Sequence, residues 1–75
     1  MRSDETFYII TRYDEHGTVI WERLSRNKQG YYSTVGSINS YWGKKTDEVT
    51  LEEVTVSGRS ITMIGRFVNG AEVEL

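Results

Sequence analysis

The chain has 75 residues, of which 37% are hydrophobic, and it carries a net charge of −2 with one histidine and no cysteine. This length predicts one small domain, residues 1–75, of modest stability. The lack of cysteine excludes disulfides, thiolate nucleophiles and cysteine zinc sites, and no stretch approaches the roughly 20 apolar residues that span a membrane.

The first two predicted elements are strands of a hairpin. Segments 6–13 and 18–24 are rich in aromatic and β-branched residues, and the short loop between them contains Gly17, which can adopt positive φ. Apolar residues fall on both faces of this hairpin. Two interpretations are therefore open: the hairpin is covered on both sides, or one of its faces is an interaction surface.

A short helix is predicted within residues 33–44. Ser33 is a residue type typical of helix N-caps, and Gly36 suggests close packing of the helix against a strand. Apolar side chains recur at the three- and four-residue spacing of one helical face: Val35, Ile38, Tyr41 and Trp42. We expect Val35, Ile38 and most of Trp42 to anchor the helix to the sheet.

Three further strands are predicted after the helix. A β-bulge at Glu52–Glu53 would bring four apolar residues of the first of them to one face. These are Val49, Leu51, Val54 and Val56. Alternation in the next strand predicts four inward residues, namely Ile61, Met63, Gly65 and Phe67. Asn69–Gly70 predicts a type I′ turn into a last strand that begins at Ala71.

The element order is therefore ββαβββ. It predicts an α+β fold, a single small domain with a mainly antiparallel sheet and one short helix packed on it. The N-terminus lacks the hydrophobic region of a signal peptide, so we expect a cytoplasmic protein without a membrane segment.

The sequence contains few candidate catalytic residues. His16 is the sole histidine and falls in the predicted hairpin loop, which leaves nucleophile–histidine dyads and nitrogen-rich metal sites without partners. Neighbouring strand residues such as Glu52 and Glu53 point to opposite faces, so we interpret them as surface carboxylates. We expect no enzymatic activity, no metal and no cofactor.

Charge is unevenly distributed along the chain. Residues 1–20 carry −2, residues 21–45 carry +4 and residues 46–75 carry −4, so a basic and aromatic middle lies between acidic ends. Five residues of this middle segment are candidates for partner binding: Arg26, Lys28, Tyr31, Lys44 and Lys45. Tyr31 and the two lysines are expected to stay accessible, because a short helix on a sheet buries only one stripe.

Three functional interpretations follow. The first is binding to a partner protein, and the second is nucleic-acid binding through segment 21–45, with cations on phosphates and Tyr31, Tyr32 or Trp42 stacked on bases. The third is a homodimer formed through an open strand edge. An isoelectric point near 5.3 favours a protein partner, since nucleic-acid binders are usually basic.

The chain also resembles small, poorly characterised proteins encoded by bacteriophages. The resemblance lies in a hairpin with a tryptophan in its second strand, a Y-S-x-x-G start to a short helix and an acidic strand. The matching residues are Trp21, Tyr32, Ser33, Gly36, Glu52, Glu53 and Val54. It implies a non-enzymatic accessory protein that binds a host or phage protein in the host cytoplasm, of the host-takeover or anti-defence inhibitor class.

Overall fold

The computed structural model describes residues 5–40 and 45–75, and in these residues five strands and one helix follow the predicted order ββαβββ. The elements are β1 (Thr6–Tyr13), β2 (Val19–Ser25), α1 (Gln29–Ser40), β3 (Glu48–Thr55), β4 (Ser60–Val68) and β5 (Ala71–Glu72). All neighbouring strands pair antiparallel in one sheet, in the order β2-β1-β3-β4-β5. The predicted α+β fold is confirmed.

The β1–β2 and β4–β5 hairpin connections are set by local backbone chemistry. In the β1–β2 loop, Asp14 Oδ1 accepts hydrogen bonds from the backbone N–H groups of His16 and Thr18, at 2.9 Å each. The bond from Thr18 is the main reason why the pKa of the Asp14 carboxyl lies below its usual value. Between β4 and β5, Asn69 and Gly70 both have positive φ, 55° and 79°, which confirms the predicted type I′ turn.

Helix α1 begins one turn earlier than predicted. The side chain of Asn27, not that of Ser33, satisfies a free N–H of the first turn, because Asn27 Oδ1 accepts a hydrogen bond from Gln29 at 3.0 Å. Ser33 is exposed within the helix. The earlier start turns Tyr31, Thr34 and Ile38 towards the sheet, with Val35 half-buried beside them. The predicted burial of Ile38 is confirmed, whereas Trp42 lies outside the described residues.

The hydrophobic core lies between α1 and one face of the sheet. It consists of six residues contributed by the helix and by three strands: Ile10, Tyr31, Ile38, Val49, Leu51 and Phe67. Beside it, Arg12 donates from Nε and Nη2 to Asp47 Oδ2, at 3.0 and 2.8 Å. This largely buried ion pair ties β1 to the residue that precedes β3.

Helix and sheet approach each other closely at two glycines. A Cβ atom on Gly30 of α1 would lie 2.9 Å from Ile10 Cδ1. One on Gly65 of β4 would lie 3.1 Å from Tyr31 Cζ and 3.2 Å from Leu51 Cβ, so a larger residue there would have to displace the tyrosine ring. The prediction of a close contact at Gly36 is wrong, because that glycine is exposed and has open space around its Cα. Tyr31 itself is 2% exposed, which contradicts the expectation that it is accessible.

The predicted bulge lies in a different strand. β3 pairs with β1 in an unbroken register over its whole length, so there is no extra residue at Glu52–Glu53. Instead, the β3–β4 register shifts between Leu51 and Glu52, where Gly65 is followed by Met63 as the next partner. The extra residue is therefore Ile64 of β4, and the alternation of β4 reverses at that point.

We predict opposite stability effects for alanine at two glycines. Gly65→Ala should lower the free energy of unfolding by roughly 1–3 kcal/mol, because its methyl group would press on the ring of Tyr31. Gly36→Ala should raise it by roughly 0.5–1 kcal/mol, because alanine is the better helix former and meets no neighbour. Urea denaturation measures both, and effects of the same sign would contradict the packing described here.

Removing the hydroxyl of Tyr31 should not destabilise the protein at neutral pH. The Tyr31 hydroxyl is buried and has no hydrogen-bond partner among the described residues, so its desolvation is uncompensated. Tyr31→Phe should therefore leave the urea midpoint at pH 7 unchanged or raise it. A clear decrease would reveal a hydrogen bond to this hydroxyl.

The same variant should change the response to alkaline pH. Burial, assisted by the negative charges of Glu72 and Tyr32, raises the pKa of the Tyr31 hydroxyl to about 12. Between about pH 10 and pH 12 the unfolded chain then binds fewer protons than the native protein, so rising pH lowers the stability of the parent. Tyr31→Phe lacks this loss, and the other tyrosines are common to both proteins. The midpoint difference should grow between pH 9 and about pH 11.

Candidate protein-binding surface

The face of the sheet opposite α1 has no layer over it in the described residues, and we call it the open face. Residues that pair across strands project to the same side of a sheet, so the register defines its members. They are Val19, Glu22 and Leu24 of β2; Phe7, Ile9, Thr11 and Tyr13 of β1; Glu48, Thr50, Glu52 and Val54 of β3; and Ile61, Met63, Arg66 and Val68 of β4.

One end of the open face is largely apolar. Leu24 is 71% exposed and Ile61 is 62% exposed, and both lie at the flanks of an apolar patch that crosses four strands. Between them are the half-buried side chains of Ile9, Phe7 and Val54 and the exposed side chain of Met63. The cross-strand pairs Ile9–Leu24, Phe7–Val54 and Val54–Ile61 make the patch continuous. Contiguous exposed apolar surface of this kind is typical of interaction sites.

Glu52 is the charged residue of this patch and lies at its border with the polar end of the face. Its cross-strand neighbours are Ile9 on β1 and Met63 on β4, and the neighbours within β3 on the same face are Val54 and the polar Thr50. No cation in residues 5–40 and 45–75 forms a salt bridge with Glu52. Among the described residues, Glu52 is therefore half-buried, has three apolar neighbours and lacks a charged partner.

The other end of the open face is polar and internally paired. Glu48 Oε2 accepts a 2.6 Å hydrogen bond from Arg66 Nε, which makes an ion pair across β3 and β4. Thr11 and Thr50, which pair across β1 and β3, are buried under their larger neighbours. This end is thus already satisfied by its own contacts, apart from the Thr50 hydroxyl, which has no partner in the described residues.

The candidate binding residues from the basic segment do not form one surface. Arg26 and Lys28 follow β2 and lie at the end of the sheet where Tyr8 pairs with Ser25. Lys45 is exposed, and its Cδ lies 4.0 Å from the point that a Cβ atom added to Gly70 would occupy. Gly70 is in the β4–β5 turn, at the end of the sheet far from Arg26 and Lys28. Tyr31 is in the core, and Lys44 lies outside the described residues.

Arg26 and Lys28 do share a shallow site of about 590 Å³. It is also lined by the side chains of Tyr8, Asn27, Gln29 and Tyr32. Lys28 Nζ lies 5.7 Å from the centre of the Tyr8 ring, and Arg26 Cζ lies 5.3 Å from that of Phe7. Tyr32 is 56% exposed at the rim, so this site combines two cations with an accessible aromatic ring.

A second concave site lies beside the β1–β2 loop. It has about 450 Å³ and is lined by Asp14, Glu15, His16, Gly17, Thr46, Glu48, Val68 and Asn69. Glu15 Oε2 lies 3.4 Å from His16 Nε2, and both side chains are exposed. Within residues 5–40 and 45–75, no three His, Cys, Asp or Glu side chains are grouped to hold a metal ion. The described helix is not long and apolar enough to cross a membrane.

Sequence reasoning missed the residues of the open face on β3 and β4. Ile61 and Met63 are predicted inward by alternation, but the bulge at Ile64 places them on the face without the helix. Val54 is predicted on the face of Val49 and Leu51 by a bulge at Glu52–Glu53, and because β3 has no extra residue there it lies on the open face. The sequence did indicate that one face of the sheet is open, because a sheet with a single short helix has a covering layer for only one of its faces.

A scan against protein-family models and searches of the curated proteins and of the solved structures found no match for this chain.

Because one face of the sheet is covered and the other is open, the same substitution at two isoleucines should change the free energy of unfolding by very different amounts. Ile10→Thr should cost roughly 2–4 kcal/mol of unfolding free energy, because Ile10 is buried under α1. Ile61→Thr keeps a β-branched side chain at an exposed position and should change that free energy by less than about 0.5 kcal/mol. A comparable loss for Ile61→Thr, measured by urea denaturation, would place Ile61 in the core.

Proposed function

We propose that this protein is a non-enzymatic binding protein whose open face docks a partner protein. The observation that carries the proposal is the apolar patch from Leu24 to Ile61, which crosses four strands, is exposed on β2 and β4 and half-buried between them, and has no layer over it in the described residues. Removing such a patch from water is the main driving force of most protein associations. The absence of cysteine and the exposed loop position of the sole histidine support binding rather than catalysis.

The sheet edges support docking on the face over pairing at an edge. β2 is one edge of the sheet and has a register shift against β1 at Ile20. β5 pairs with Phe67 and Val68 at the end of β4, so the first part of β4 forms the other edge, and β4 has a register shift against β3 at Ile64. Bulges twist an edge strand away from a regular ladder and discourage the addition of another strand. A homodimer formed through a strand edge is therefore the less favoured mode of association.

The proposed partner is a protein of a bacterial host cell, met in its cytoplasm. This part of the proposal rests on the resemblance to bacteriophage accessory proteins, which are of the host-takeover or anti-defence kind. Blocking a host protein requires a stable complex and no catalytic group, which agrees with a surface built from apolar side chains around a carboxylate.

The second candidate function is nucleic-acid binding at the site formed by Arg26 and Lys28. The observation in its favour is that these two cations flank the exposed ring of Tyr32 in one concave site. Cations on phosphates and a ring that stacks on a base are the usual elements of single-strand binding. The chain's net charge of −2 opposes this function.

Affinity capture with matched variants tests the proposed function. The tagged protein is used as bait in nuclease-treated bacterial lysate, beside the double variant Leu24→Lys/Ile61→Lys. Both positions are exposed, so the variant should fold, and circular dichroism checks this. Its control is Ser37→Lys/Asn39→Lys, which adds the same charge at exposed positions of α1. A specific partner should be retained by the parent and the control and lost from the open-face variant.

Retention by all three baits would contradict docking on the open face. The nucleic-acid alternative is tested by titrating single- and double-stranded oligonucleotides at low salt. Saturable binding that weakens steeply with salt and disappears in Arg26→Ala/Lys28→Ala would favour the second candidate function. We expect no such binding.

A further inference from the structure

We infer that the segment docked on the open face is a basic amphipathic helix of the partner, with a lysine or arginine paired to Glu52. This inference rests on the proposed function and adds the chemistry of the bound segment. Its starting point is that Glu52 lies between Ile9 and Met63 at the border of the apolar patch, without a salt bridge to a cation of the described residues.

Glu52 decides which sign of charge the partner must carry. Any segment that covers Ile9, Met63 and Val54 also covers the carboxylate in their midst and removes it from water. A buried carboxylate without a partner is strongly unfavourable, so a segment without a cation at this point would bind weakly. A lysine or arginine there forms a charge-assisted hydrogen bond and turns the same carboxylate into a determinant of specificity.

A second carboxylate extends the requirement for positive charge. Glu22 is exposed on the same face, and its described polar contact is a long hydrogen bond from Thr11 Oγ1, at 3.5 Å. Glu48, in contrast, is already paired with Arg66. Within the described residues, neither Glu22 nor Glu52 forms an ion pair, and both border the apolar patch. The complementary segment therefore has an apolar side flanked by cations.

The geometry of the face favours a helix as the bound element. The face spans four strands, roughly 14 Å between the outer strand axes at the usual strand spacing, which accommodates the roughly 10 Å diameter of a helix. The opposite face of the same sheet already holds α1 in this way. An added strand is disfavoured by the bulges at Ile20 and Ile64.

Charge also argues against two other occupants of the open face. A second copy of the chain packed face to face would bring Glu22 and Glu52 of each copy towards those of the other, and like charges in a closing interface are repulsive. An anionic membrane surface would repel the same carboxylates. Both occupants are outcomes that the experiment can detect.

The test uses two synthetic helical peptides of about 18 residues with the same leucine face. One carries lysine beside this face and the other carries glutamate. Binding to the full chain is followed by amide chemical shifts. The lysine peptide should bind saturably, with shifts confined to the open-face residues of β1 to β4. Glu52→Gln should weaken it by about tenfold or more, and Glu52→Lys should make the glutamate peptide the better ligand.

Glu53→Gln is the matched control. Glu53 neighbours Glu52 in β3 but projects to the face that holds α1, so this variant removes the same charge from the other side. It should change the affinity for the lysine peptide by less than about twofold. Equal weakening by Glu52→Gln and Glu53→Gln, or equal affinity for both peptides, would overturn the inference. Shifts at Lys28 and Tyr32 without shifts in β3 and β4 would also overturn it, whereas Arg26, which lies over Phe7 of the open face, is expected to respond.

Two further measurements separate this inference from the proposed function. A captured partner lost from Leu24→Lys/Ile61→Lys but retained by Glu52→Lys would overturn the inference and leave the function standing. Capture unaffected by either variant would overturn both. Sedimentation of the chain alone detects a second copy as the occupant: a dimer strengthened by Glu52→Gln would overturn the inference, whereas a monomer in both proteins agrees with it.

Discussion

A single helix of 12 residues is the layer that the described chain provides for its sheet, and it can cover one face. The ring of Tyr31 holds the helix on the sheet and lies against β4 because Gly65 has no side chain. Ile38, two turns later on the same side of the helix, is also buried in the core. All the fully buried apolar side chains of the described residues belong to this one interface. The single helix therefore accounts both for the buried core of the domain and for the exposure of the other face of the sheet.

The open face combines an apolar patch with polar and charged residues that restrict which partners can bind it. Two buried threonines, Thr11 and Thr50, and the ion pair of Glu48 with Arg66 occupy one end, whereas Glu52 stands within the apolar end. A carboxylate between apolar side chains opposes indiscriminate association, since an occupant that covers it without supplying a cation must bury it unpaired. The same group favours an occupant that supplies the cation, so one residue combines protection from aggregation with selectivity.

The candidate site was only partly predictable because net charge along a chain is not charge on a surface. Residues 21–45 are basic as a segment, yet Arg26 and Lys28 lie at one end of the sheet and Lys45 at the other. The helix between them spans roughly 18 Å at 1.5 Å per residue, which separates charges that are close in sequence. A sheet face, in contrast, collects residues from distant segments, and its composition follows from strand pairing.

The sequence by itself determined the order of the elements, the α+β class and the turn at Asn69–Gly70, because alternation, spacing and positive φ are properties of short segments. Only the tertiary structure decided where α1 begins, since Asn27 and Ser33 are both good caps and the burial of Tyr31 selects the first. It also decided that the extra residue after the helix is Ile64 of β4 and not a residue of β3. Periodicity shows that side chains share a face, but pairing with neighbouring strands and the position of the helix decide which face is buried.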